Sequence, residues 1–133
     1  MIQPGGTFLD KARESVTGAR AEYEASRYNN AANRSYYAVF QAAIHALQME
    51  GVTLPGGGDA WGHPFVDSHF VGHLINRRHL YESNLRNVIP ENRKLRHDAD
   101  YNPESVNPIR AFRAIQRAER LVAAVVRRYE GQQ

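Results

Sequence analysis

Asn33 to Leu47 reads NRSYYAVFQAAIHAL, and its periodicity decides the architecture. Turned at about 100° per residue, Ala32, Tyr36, Val39, Phe40, Ala43, Ile44, Ala46 and Leu47 spread over more than half of a helical wheel. Arg34, Gln41, His45 and Gln48 share one narrow polar stripe. A helix apolar on most of its circumference is wrapped by other helices. Ala38, Ala42, Ala43 and Ala46 let those neighbours approach, while Tyr36, Tyr37 and Phe40 fill the gaps between them. The expectation is an all-α fold, a bundle with this segment as its core helix.

Upstream, Thr7 followed by Asp10 has the form of a capping box, and Phe8, Ala12, Val16, Ala19 and Tyr23 then recur at helical spacing to about Tyr28. Arg13, Arg20 and Arg27 with Glu14, Glu22 and Glu24 give that helix a solvated, ion-paired face. Asn29 and Asn30 are turn and N-cap candidates, so the core helix is expected to begin near Ala31 and to end where Gly51 supplies a left-handed cap. The short connection makes helices one and two antiparallel neighbours. The segment GVTLPGGGDAWG, Gly51 to Gly62, has no periodicity and reads as a mobile surface loop. Its three consecutive glycines are not a phosphate loop, which needs a preceding strand and a following Gly-Lys-Ser/Thr.

Downstream, Pro64 opens a third helix that carries Phe65, Val66, Phe70, Leu74 and Ile75 to about Arg78. Leu80 to Val88 again reads as helical, Pro90 is expected to break or kink the chain, and Glu91 to Tyr101 resumes with Leu95 and Ala99 inward. Asn102 and Pro103 end that helix. Ser105 and Pro108 start a last one reaching roughly Tyr129, closed by Gly131. It is two-sided: Phe112, Ile115, Val122, Val126 and Tyr129 lie within one arc, and Arg110, Arg113, Arg117, Arg120, Arg127 and Arg128 lie nearly opposite. A basic rail for a nucleic-acid backbone and a solvated outer face both fit this pattern, the second being the commoner outcome on bundle surfaces.

The 133 residues are the size of one domain, expected to span 1–133, and long enough to bury a core without disulfides or metals. A hydrophobic share of 42% and a charged share of 23% are ordinary for a globular protein. The longest apolar run, Leu121 to Val126, is too short to span a bilayer, and MIQPGGTF has neither a basic leader nor an apolar stretch behind it. No membrane association and a cytoplasmic location are expected. The absence of cysteine excludes disulfides, thiolate zinc sites and cysteine nucleophiles. Net charge is +3, and fifteen of the seventeen cations are arginines, the residue suited to forked contact with phosphate and carboxylate. A GC-rich genome also favours arginine, so the preference alone does not identify an anionic partner.

The most pointed chemistry lies in RKLRHDADY, Arg93 to Tyr101. On a helix Arg93, Arg96, His97, Asp100 and Tyr101 share an arc opposite Leu95 and Ala99. Arg96 and Asp100, Arg93 and His97, and His97 and Tyr101 are each one turn apart, which suits a self-ordering network. A carboxylate holding an arginine beside a histidine forms a phosphate site, because guanidinium forks onto oxygens and imidazole moves protons near neutral pH. Spacing alone equally suits a structural ion pair that pins this helix to the one carrying Tyr36 and Tyr37. Asn33 and Tyr37, one turn apart, border the core helix's polar stripe. They are placed either to reach the Arg96 cluster or to satisfy each other in a packed seam.

Taken together, AANRSYYAVFQAAIHAL, then Trp61-Gly-His-Pro64 before a helix, then LRHDADY, then a terminal amphipathic helix resemble the HEPN domain family, higher eukaryotes and prokaryotes nucleotide-binding, from about Leu9 to Tyr129. The resemblance implies an antiparallel all-α bundle of four to five helices, a homodimer whose polar motif lines a cleft between subunits, and nucleotide or RNA as ligand. Members include metal-independent ribonucleases, often toxins, and bundles encoded beside a small nucleotidyltransferase. The nuclease signature Arg-x4-6-His is absent: Tyr101 stands where histidine would follow Arg96, and no other arginine precedes a histidine at that offset. The chain has R-x-x-A-D-Y instead. Two functions follow. One is a bundle in a toxin-antitoxin or defence setting that binds nucleotide, RNA phosphate or a nucleotidyltransferase through Arg93, Arg96, Asp100, Tyr101, Asn33 and Tyr37, with Tyr101 as a possible nucleotide acceptor. The other is a metal-independent ribonuclease using His97 as base and Arg93 or Arg96 to stabilise the phosphorane. Neither reading calls for a cofactor or metal. His69 and His73, with Asp67 and His63 near, form no complete zinc set. Trp61 and His63 are placed to close over a nucleotide or, the commoner role for an indole there, to plug the bundle's end.

Overall fold

The computed structural model describes residues 6–54 and 61–130. Among them are five α-helices and no strand: α1 (Phe8–Glu24), α2 (Tyr28–Met49), α3 (His63–His69), α4 (Val88–Tyr101) and α5 (Pro108–Tyr129). A π-helical segment, Phe70–Arg77, continues α3, and one 3-10 turn, Ser83–Leu85, precedes α4. The fold is an all-α bundle. No helix among the described residues is long and apolar enough to cross a membrane.

Helix α2 packs against α1, α3, α4 and α5, as its nearly all-round apolar surface requires. Twelve of its side chains are buried, with Tyr36, Ala38, Val39, Ala42, Ala43, Ala46 and Leu47 wholly enclosed. Phe70, Leu74, Leu121 and Val125 close around its middle in the larger apolar cluster. A smaller cluster, with Ala31, Ala32, Leu95, Ala111 and Ile115, joins its first turn to α4 and α5.

The capping box at α1 forms in both directions: Asp10 N–H donates to Thr7 Oγ1, and Thr7 N–H donates to Asp10 Oδ2, each at 3.1 Å. Helix α1 ends at Glu24 rather than Tyr28, because Ser26 takes a left-handed φ of 62° and reverses the chain early. Asn29 and Asn30 are therefore not a turn or cap; they lie inside α2, whose N-cap Arg27 makes no side-chain cap. Asn29 Oδ1 instead accepts from Val106 N–H at 2.9 Å. At the other end Gly51 has the expected left-handed φ, 77°.

Leu80 to Val88 is not a helix beyond its 3-10 turn. His79, at a φ of 52°, breaks the chain's path, Tyr81 and Leu85 turn inward from the segment that follows, and Val88 is already the first residue of α4. Pro90 neither breaks nor kinks α4. It is the third helical residue, in the first turn, where no intrahelical N–H bond is owed. Ser105 is not the start of α5, which is capped by Asn107 accepting from Arg110 N–H at 2.8 Å, with Pro108 in the first position. The buried stripe of α5 runs through Ala111, Ala114, Ala118, Leu121 and Val125 as well as Ile115, Val122 and Tyr129. Phe112 and Val126 lie half-buried at its edge. The Gly131 stop and the Pro55–Ala60 part of the expected loop, with its three glycines, lie outside the described residues.

Candidate functional site

The site forms where α4 crosses the tyrosine-bearing face of α2 and the start of α3. Leu95 and Ala99 bury α4's inner face, and that turns Arg96 and Asp100 toward α2. Arg96 Cζ sits 5.3 Å from the Tyr36 ring centroid and 5.4 Å from that of Tyr37. Cation–π attraction to two rings fixes the guanidinium without using its N–H donors. Arg96 Nε lies 3.6 Å from Asp100 Oδ2, near enough for attraction but too far for a hydrogen bond. The Nε is itself buried and has no hydrogen-bond partner among the described residues. Asn33 Nδ2 donates to Asp100 Oδ1 at 3.1 Å, so the carboxylate is held from α2.

The opposite wall comes from α3. His63 and Asp67 are one turn apart on that helix and face the same way. Arg93 reaches Asp67 Oδ2 at 2.5 Å, the carboxylate being 17% exposed. His63 stacks on Phe40 with ring centroids 4.4 Å apart, and its Nδ1 meets the Tyr36 hydroxyl. Burial pushes the Tyr36 hydroxyl up to about 12, so it keeps its proton. Burial, then the charges of Arg96 and Arg93, hold the His63 imidazole below its ordinary value. Near neutral pH a protonated hydroxyl therefore donates to neutral imidazole, and the ring proton sits on Nε2.

Arg96 and Asp100 thus come together as their one-turn spacing suggested, with side chains 30% and 33% exposed, and of the two placements open to Asn33 and Tyr37 the structure has the one against Arg96 and Asp100. The expected Arg93 to His97 pairing within α4 does not form, because a carboxylate on another helix is the stronger partner for a guanidinium than a histidine. His97 and Tyr101 make their own pair, ring centroids 4.7 Å apart, with Tyr101 74% exposed. Sequence reasoning missed Tyr36, counted only as core, and Asp67 and His63, weighed only against metal or base stacking. The signal for the last two was their one-turn spacing beside the Trp61-Gly-His-Pro64 element.

Of the other histidines, His69 has its Nδ1 2.9 Å from Phe65 O and its ring 6.2 Å from that of His73. No group of three or more His, Asp or Glu side chains suited to a metal occurs among the described residues. Trp61 packs against the larger core cluster, 5.9 Å from the Phe65 ring. A model of the HEPN domain matches residues 7–129. No curated protein matches the chain.

Proposed function

The chain belongs to the HEPN domain family, whose functions are nucleotide- or RNA-related, and from that membership we propose that it binds the phosphate of a nucleotide or of RNA at Arg96. One observation carries the reading. A guanidinium set over two adjoining tyrosine rings, with its buried Nε unbonded, has no polar contact among the described residues beyond the 3.6 Å approach to Asp100. A buried donor left unpaired costs about 1 to 3 kcal/mol, and a phosphate oxygen meets this guanidinium through the 30% of the side chain that is exposed. Asp100, steadied by Asn33, orients the fork. Arg93 borders the site from its Asp67 pair, and exposed Tyr37 and Tyr101 are placed to contact the nucleoside or, for Tyr101, to accept a nucleotidyl group. The setting we propose is a cytoplasmic toxin-antitoxin or defence pair, with the protein acting as a homodimer beside a small nucleotidyltransferase encoded nearby.

Titration with ATP and with a labelled uridine hexanucleotide tests the site. Arg96→Ala is expected to weaken binding of at least one by about tenfold or more, a loss of roughly 1.4 kcal/mol. Arg96→Lys should recover little, because an ammonium neither forks nor stacks as guanidinium does. Unchanged affinity in Arg96→Ala would remove the proposal. Incubation with total RNA in EDTA addresses catalysis: cleavage that disappears in His97→Ala replaces the binding role with that of a metal-independent ribonuclease.

A further inference from the structure

The arginine face of α5 is not an evenly solvated surface. Three hollows of about 220, 240 and 280 Å³ lie along it, against α4 and the Leu80–Asn87 segment. The first two share Arg113 and Arg117, and the second and third share Asn84 and Arg120, so the three are consecutive reaches of one groove. Arg110 to Arg127 spans about 25 Å at the helical rise. Six α5 arginines and Lys94 line the groove against two carboxylates, Glu82 and Glu91. Counting also Asp98 and Glu50, which pair with Arg110 and Arg128, the groove keeps an excess of three positive charges, as much as the +3 of the whole chain.

The cations divide into two kinds. Arg117 is anchored: its Nε donates to Asn92 Oδ1 at 2.6 Å and its Nη1 lies 3.4 Å from Glu91. Arg110 pairs with Asp98, and Arg128 lies 3.8 Å from Glu50. Arg113, Arg120, Arg127 and Lys94 are exposed and have no carboxylate partner among the described residues. Burial, and beyond it the charges of Arg120, Arg110 and Arg113 working against Glu91, bring Arg117 below the ordinary arginine value, consistent with a positive field along the groove. The Arg96 site differs. There Asp67 and Asp100 match Arg93 and Arg96 charge for charge, so that site attracts anions at short range only.

We propose that the α4–α5 groove is a second anion-binding surface, which takes the phosphodiester backbone of an extended single nucleic-acid strand. The three hollows follow one another in a single row along α5, the path of one backbone. Among the described residues the only aromatic lining the groove is Tyr81, 8% exposed, so bases gain little stacking and contact is through phosphate, without sequence preference. Groove and Arg96 site occupy opposite flanks of α4, and the inference stands whether or not Arg96 binds a nucleotide.

The test is fluorescence anisotropy of labelled uridine and deoxythymidine strands of about 15 nucleotides, across a salt series, with the intact protein. The variant Arg113→Ala/Arg120→Ala/Arg127→Ala removes exposed side chains only, and circular dichroism checks that it folds. It is expected to bind about tenfold or more weakly, with the slope of log affinity against log salt shallower by about 2, at roughly 0.7 per phosphate contact. Loss in both strands identifies phosphate alone as the feature read, and loss in uridine alone adds the 2′-hydroxyl. ATP affinity should not change in this variant, whereas Arg96→Ala tests the other site. Failure of the wild type to bind either strand, or equal affinity and slope in the triple variant, overturns the proposal.

Discussion

Asn92 is fully buried, and its amide serves two elements at once. Its Nδ2 donates to Ala114 O at 3.1 Å, and its Oδ1 accepts from Arg117 Nε at 2.6 Å. Deleting the amide leaves a carbonyl and a guanidinium donor without their partner, and buried groups stranded in this way cost more than the bond itself was worth. Asn92→Ala should destabilise the protein by about 2 to 3 kcal/mol, lowering Tm by about 10 °C in a thermal melt. A change under about 0.5 kcal/mol, the size of an ordinary surface substitution, would show that water replaces the amide. By contrast the Arg20 to Glu119 fork is well formed at 2.6 and 2.7 Å, but its side chains are 45% and 34% exposed, so its removal should shift Tm little.

At the scale of the element, helix ends decide where the site residues stand. Gly51 ends α2 at a φ of 77°, and a Cβ there would meet no atom within 4 Å, so a larger residue suffers only backbone strain. Gly51→Ala should therefore cost about 1 kcal/mol, read from urea unfolding at unchanged m. A neutral substitution would mean that the turn shifts to another φ. Helix α4 shows local rules giving way to position. Pro90 is a breaker in an isolated reading, yet three residues into the helix it costs nothing, and Val88 and Ile89 before it are buried at 2% and 1%. The π-helical turn from Phe70 to Arg77 was not readable, because the sequence shows only that Phe70, Leu74 and Ile75 are apolar, and the buried side chains they become depend on what packs over them.

For the molecule as a whole, two partly buried histidines link stability to pH. His45 and His63 are both held below the usual 6.5, chiefly by burial. Below 6.5 the unfolded chain takes up protons that the folded state refuses, so unfolding free energy is complete above 6.5 and falls as pH drops toward the depressed folded values. Urea titrations from pH 7.5 to 5 should show this decline, and His63→Gln combined with His45→Gln should flatten it. A decline of the same size in the double variant would assign the effect to carboxylates.

The chain's local order was open to inspection in its residues. Apolar spacing marked α2 and its all-round burial, Thr7 and Asp10 marked the first cap, and one-turn spacing set Arg96 beside Asp100 on one flank of α4. Those signals are short-range, carried by residues three or four apart, and a helix obeys them wherever it sits. What the sequence left open was contact between distant segments. Asn33 meets Asp100 from 67 positions away, Arg93 turns to Asp67 rather than His97, Arg96 rests on two tyrosines, and the α5 arginines border a groove instead of open water. A helical wheel gives the direction of a side chain but not what lies across from it, and the packing of α2 against its neighbours supplied that second half.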